Sequence, residues 1–226
     1  KYNIDEIQFV DDNLTLDRQR ATELFTRMQN LALAWCTPNG TMINTLDEEI
    51  IDLMYKAGLY QITFSIDSTN TKTLRHYHKK SVKTNIIPGL VNKTNALGIF
   101  SHGTLVVGMP GETMEDIEVS LNFVYSLDLT SLSIFIASPI PGSVLYHVAL
   151  DNGFVTKENA SQIDTTKAKI TLPGIEPNRL EVRIRNFQER YSEKIRKTTP
   201  ELFQKKYAQL LKRYPNTESK IDFRLT

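Results

Sequence analysis

The sequence predicts an α/β fold: a partial (β/α) TIM-like barrel of about five parallel strands with a mainly helical C-terminal extension. Three observations predict it. Short β-rich apolar runs alternate with longer stretches of helical periodicity through the first two thirds of the 226 residues, the pattern of parallel βα units. The runs restart about every 30 residues, one βα unit apart. Past residue 155 the alternation stops, and apolar residues recur only at spacings of three and four. Residues 1–155 are therefore assigned to the partial barrel and 156–226 to the helical extension.

The elements follow in order. Strands are expected over 4–10, 31–37, 60–66, 99–107 and 131–137. Between the first two, residues 16–31 read as a helix with Leu24, Phe25 and Met28 as its buried stripe. Thr37-Pro38-Asn39-Gly40 reads as a turn closing the second strand. Thr45-Leu46-Asp47-Glu48 fits a capping box, and Gly58 supplies the left-handed stop of the helix that follows. Pro88 makes the next helix start anew near Ile87. Glu115 and Asp116, just after Thr113, favour the positive end of a helix running through Ile117, Leu121 and Val124. A shorter helix over 144–151 ends at Asn152-Gly153. In the extension, Leu180, Ile184, Phe187, Tyr191 and Ile195 mark one amphipathic helix, and Phe203, Tyr207, Leu210 and Leu211 a second, with the break near Pro200. A last strand is expected over 221–225.

Composition narrows the function. With 40% hydrophobic and 23% charged residues and a mean hydropathy of −0.30, the chain has the make-up of a folded globular domain, which excludes disordered and fibrous classes. Basic and acidic residues number 27 and 26, so there is no footprint for a nucleic-acid backbone. No apolar run approaches a membrane span. The one cysteine, Cys36, cannot form an intramolecular disulfide and suits a reducing, cytoplasmic compartment.

In a parallel barrel, chemistry gathers at the C-terminal strand ends. There the sequence places Asp11-Asp12-Asn13, which also suits a turn and helix N-cap; Asn39 with Gly40; Ser65-Ile66-Asp67-Ser68; Val106-Val107-Gly108 through Glu112; and Ser138-Pro139. Five successive rims carry polar or glycine-rich exits. His76 and His78, followed by Lys79 and Lys80, read as an exposed polar segment. His102 within a strand and His147 within a helix have no evident metal partners. Cys36 beside Trp35 reads as a small buried hydrophobe.

The order and spacing of Glu6-Ile7-Gln8-Phe9-Val10-Asp11-Asp12-Asn13, Trp35-Cys36-Thr37-Pro38-Asn39-Gly40, Met54-Tyr55-Lys56-Ala57-Gly58, Gly108-Met109-Pro110-Gly111-Glu112-Thr113 and Pro139-Ile140-Pro141-Gly142-Ser143 strongly resemble the radical S-adenosylmethionine superfamily. Within it, the subgroup with an N-terminal cobalamin-binding domain, which includes magnesium-protoporphyrin monoester oxidative cyclase-like proteins, is the most similar. The resemblance covers about residues 1–155. It implies an enzyme whose [4Fe-4S] cluster, held by a CxxxCxxC loop, cleaves S-adenosylmethionine to a radical that abstracts hydrogen from a small organic substrate. Cobalamin would serve methyl transfer or oxidative cyclisation. This chain has no such loop, and its first strand resembles the family's second; the cluster cysteines and any cobalamin domain are therefore expected upstream of residue 1, and the fragment alone is expected to be inert.

Carried over by position, the resemblance puts Asp11, Asp12 and Asn13 near the methionyl end of the cofactor and counts Asn39 among the cofactor-binding residues. Ser65 and Asp67 fall in a rim motif usually written Gly-Ile-Glu-Ser, with serine for the glycine and an acid one methylene shorter. Val106, Gly108 and residues 136–139, including Pro139, would approach adenine, and Glu112 would brace that loop or cap the next helix. No metal ligand is assigned within the chain. The partners implied are the small-molecule substrate and the N-terminal domain of the parent chain; nucleic acid and membrane are excluded, and the sheet edge left open predicts self-association. Two other readings stand beside this one: a non-catalytic relic of the barrel that binds a nucleotide or partner, and metal-assisted hydrolysis by Asp11, Asp12 and Asp67.

Overall fold

The computed structural model describes residues 4, 6–11, 13–76, 81–160 and 164–213, with side chains described up to Lys197 apart from His76, and again at Ala208 and Lys212. One sheet holds five strands in the order β1-β2-β3-β4-β5: β1 (Glu6–Gln8), β2 (Ala34–Thr41), β3 (Leu59–Asp67), β4 (Phe100–Val107) and β5 (Ser131–Ile136). Every pairing is parallel, so each link is a crossover and all five C-terminal ends lie along one edge. The crossover helices are α1 (Arg18–Met28), α2 (Glu48–Lys56), the short α3 (Thr71–His76) with α4 (Ile87–Leu97), and α5 (Met114–Ser126). Beyond β5 come α6 (Val144–Asp151), α7 (Lys157–Ala160) and the long α8 (Pro177–Arg213).

Local chemistry explains most boundaries. Thr113 and Asp116 exchange side-chain and backbone hydrogen bonds in a full capping box that starts α5. Gly98, left-handed at φ +74°, ends α4, whose first turn holds Pro88. The cap of α2 differs from the sequence reading. Asp47, not Thr45, accepts the amide of Ile50 at 2.8 Å, while Thr45 closes a 3₁₀ turn and donates its hydroxyl to the Met42 carbonyl at 2.7 Å. The stripe of α1 is Ala21, Phe25 and Met28; Leu24 is only partly buried.

Two further expectations are corrected. β2 does not turn at 37–40 but runs on to Thr41, because register shifts after Trp35 and between Thr37 and Thr41 absorb the extra residues. The extension is not broken near Pro200: α8 is one helix of 37 residues, since a proline removes a single backbone hydrogen bond and the turns on either side carry the helix on. The strand expected over 221–225 lies outside the described residues.

The core lies between the sheet and its helices. Trp35 stacks on Phe25 of α1 at 5.2 Å and meets Phe9 edge-on at 5.3 Å. Its indole N–H has no partner; that omission costs about 1–3 kcal/mol, which the large apolar area of the ring outweighs. The helix α8 shares this core through Leu180, Ile184, Phe187 and Tyr191. Its Lys194 donates to the carbonyls of Tyr125 and Leu127, satisfying acceptors that the end of α5 leaves open. Among the described residues, no helix is long and apolar enough to cross a membrane.

Candidate functional site

The parallel topology brings the strand exits to one rim, and the sequence-derived candidates sit along it. Asp11 is exposed and accepts the amide of Asn13 at 2.8 Å. Asn13 is half-buried, and its Oδ1 is buried with no hydrogen-bond partner. Asp12 lies outside the described residues. Asn39 is exposed and donates to the Val10 carbonyl at 3.1 Å, tying the β2 bulge to the end of β1.

Ser65 and Asp67 at the end of β3 explain their own departures from the Gly-Ile-Glu-Ser pattern. Asp67 has a left-handed backbone, φ +58°, a conformation that a short polar side chain tolerates better than a long one. Ser65 takes room vacated across the strand: a Cβ on Gly40, itself at φ +99°, would come within 2.2 Å of Ser65 Oγ.

Glu112 is a brace. Its Oε2 accepts the amides of Gly108 at 2.8 Å and Met109 at 3.0 Å, and Ser68 Oγ approaches Oε1 at 3.4 Å. Only 4% exposed, its carboxyl is pushed above the usual glutamate range by burial, against the pull of these bonds and of Thr73. Sequence reading placed Ser68 at the rim without pairing it with Glu112, and it missed Thr73, which no spacing marks. Gly108 is left-handed at φ +83°, and the space a side chain would take is filled by Leu180 of α8 and by Ile136. Ile136 accordingly belongs to the helix-side core, and Pro139 is buried. Val106 and Phe135, register partners on β4 and β5, face the other way, onto the concave side.

The lone cysteine faces the same side. Cys36 is buried beside the Tyr60 hydroxyl, which donates to Glu6 Oε1 at 2.5 Å, and burial pushes the Cys36 thiol up. Among the described residues, no three His, Cys, Asp or Glu side chains are grouped to hold a metal ion.

Residues 1–124 match the family described as the Radical SAM superfamily. The chain belongs to it. It is 36% identical over 182 residues to the cytidylyl-2-hydroxyethylphosphonate methyltransferase of Streptomyces wedmorensis, covering 77% of this chain and 34% of that protein. It is 29% identical over 161 residues to an uncharacterized methyltransferase of Pyrococcus horikoshii, covering 70% and 34%. This radical SAM chain thus spans about a third of the length of these relatives. Its fold matches the radical S-adenosylmethionine methyltransferase TsrM of Kitasatospora setae, solved with cobalamin and a [4Fe-4S] cluster, at a TM-score of 0.53 and 20% identity, over 58% of this chain and 26% of that one.

The family implies S-adenosylmethionine and an iron–sulfur cluster, and the described residues fit the two unequally. The orphaned Asn13 Oδ1 is an acceptor that an ammonium group would satisfy, and Asp11 and Asp67 add carboxylates along the same rim, a set of acceptors suited to the amino and ribose groups of the cofactor. A cluster asks for several thiolates. The chain has one cysteine, buried and hydrogen-bonded on β2, so these residues do not hold one.

Proposed function

We propose that this chain is the greater part of the barrel of a radical SAM methyltransferase, with the cluster ligands and a cobalamin-binding domain supplied by preceding segments of the parent protein. The observation that carries the reading is the 36% identity to a methyltransferase over 77% of the chain. Soluble placement in the cytoplasm accords with the single reduced cysteine.

S-adenosylmethionine, when bound, supplies the adenosyl and methyl groups of the reaction. The work of the chain is placement. Asn13 Oδ1 and the carboxylate of Asp11 receive the cofactor's amino group. Asp67, held out from the sheet by its left-handed backbone, accepts from the ribose hydroxyls. Val106 and Phe135 offer apolar surface to the adenine, and Glu112 acts through the loop it braces, without touching the cofactor. Such a rim restrains the cofactor before reaction, the effect that positioning contributes to rate.

The parent protein, reconstituted without oxygen, is the test. Incubation with reductant, S-adenosylmethionine and hydroxocobalamin, whose reduced cob(I)alamin form accepts the methyl group, should release 5′-deoxyadenosine and S-adenosylhomocysteine; release of neither defeats the reading. Equilibrium dialysis with labelled S-adenosylmethionine should show Asp67→Asn and Asn13→Ala each weakening binding by about tenfold, the equivalent of one lost charge-assisted hydrogen bond.

A further inference from the structure

A parallel sheet is ordinarily apolar on both faces, because both are covered. Here β4 and β5 alternate instead. Their helix-side residues Leu105, Val107, Ile134 and Ile136 are buried in the core, whereas His102, Thr104, Ser131 and Ser133 between them are half-buried on the concave side. The strand register extends them into two rows with β3: Thr63, His102 and Ser131 lie side by side, and Ser65, Thr104 and Ser133 form the next row toward the rim. With a rise of about 3.3 Å per residue, the lower row stands about 13 Å below Val106, well beneath the rim assigned to the cofactor. A face of this polarity needs water, a hydrophilic ligand or hydrogen-bonding protein groups against it.

The rows also have a definite electrostatic character. His102 Nδ1 and Ser131 Oγ are 2.7 Å apart, which orients the ring and leaves Nε2 for a further partner. Burial pushes the His102 pKa down, which favours the neutral ring. The other five members are hydroxyls, neither row contains Lys or Arg, and the charged neighbour along β3 is the acid Asp67. Lys167 and Arg185 line a cavity beside β5 with Ser133 and Phe135, so the positive charge that a phosphoryl dianion could meet lies there and not within the rows.

We infer that this wall is the substrate subsite of the enzyme and takes an uncharged hydroxyl- or amide-bearing group through His102 Nε2 and the hydroxyls of Thr104 and Ser133. The inference rests on the methyltransferase reading, whose substrate it specifies. A phosphoryl-bearing part of any substrate would then lie elsewhere.

The test uses the parent protein with ¹⁵N-labelled histidine, its adenosyl site filled by saturating S-adenosylhomocysteine. The His102 ring resonances, identified by their loss in His102→Phe, are followed during titration with two matched pairs, glycerol and glycerol 3-phosphate, and cytidine and cytidine monophosphate. The uncharged member of at least one pair should saturate the His102 shift at a concentration at least tenfold lower than its phosphorylated partner. Thr104→Val, which keeps the shape and removes the hydroxyl, should weaken that binding several-fold with an unchanged melting temperature. Phosphorylated probes binding as well or better, Thr104→Val binding as the parent, or no His102 shift with any probe would overturn it. Because none of these readouts needs turnover, failure of the wall and failure of the methyltransferase reading, seen as absent 5′-deoxyadenosine, are told apart.

Discussion

Two buried amides and one carboxylate hold the loop after β4, so Glu112 links a single side chain to the shape of the rim. Glu112→Ala leaves the Gly108 and Met109 N–H groups without their acceptor and should cost about 2–4 kcal/mol in urea denaturation at pH 7. Glu112→Gln keeps an acceptor oxygen and should cost less than about 1.5 kcal/mol. The pH dependence has a sign. Burial raises the Glu112 carboxyl above its ordinary value of 4.5, so between the two values the folded chain binds more protons than the unfolded one. This group's contribution is therefore greatest below the ordinary value and is lost as pH rises through the raised one. Denaturation profiles between pH 4 and pH 8 should fall less steeply with pH in Glu112→Gln; parallel profiles would mean that the carboxyl titrates normally. Gly40 gives a second test at this scale. Gly40→Ala strains a backbone at φ +99° and drives a methyl onto Ser65 Oγ, so a loss of about 2–4 kcal/mol is expected from strain and clash together. Adding Ser65→Gly should recover the clash but not the strain, leaving a non-additive cycle; simple additivity would show that the two positions do not compete for space.

Packing decides what local sequence signals leave open. The helix α8 joins the core through Phe187, which stacks on Tyr191 and meets Tyr125 edge-on at 5.9 Å, and through the fork of Arg183 on Glu118. The fork is partly exposed and contributes little, so the apolar residues carry the attachment. Phe187→Ala should cost about 3–5 kcal/mol, and hydrogen exchange should show α8 losing protection before β3 and β4. If all elements lost protection together, α8 would be part of the same cooperative unit as the sheet. The strands and the start of α5 after Thr113 were legible in the sequence because each depends on residues within one turn or one pleat. The cap of α2 was not, because Thr45 and Asp47 are both competent caps and a contact 29 residues away, Arg18 on Asp47 at 2.9 Å, favours the second. The continuation of β2 past Pro38 rests on pairing with β3, which no local pattern reveals. At the site, the rim residues were legible from their position after each strand. The concave wall was also written in the sequence, in the alternation of Ser131, Leu132, Ser133 and Ile134, but His102 reads as an isolated histidine until the register sets Ser131 beside it.

At the scale of the whole molecule, the sheet is covered unequally at its two ends. The last strand is closed off by the Thr165 carbonyl accepting the Ile136 amide at 2.7 Å and by Gln188 donating to the Ile134 carbonyl. Among the described residues, β1 pairs with β2 alone, and its flanking Ile4 and Val10 are 55% and 65% exposed. Backbone groups on such an edge remain available to another strand. Phe9 donates its amide to Cys36 at 3.0 Å, and in a parallel strand adjacent residues direct their backbone groups to opposite sides. The Gln8 N–H therefore points away from β2, and Gln8→Pro removes a donor from the open side without touching the existing ladder. Sedimentation velocity of the 226-residue chain should show concentration-dependent association that Gln8→Pro suppresses at an unchanged melting temperature. A longer piece of the parent protein that supplies a strand at this edge should suppress it equally. Association that persists in both would place the contact elsewhere, and the exposed side of β1 would then be held apart by its own twist and brevity, the other means by which proteins keep sheet edges from pairing.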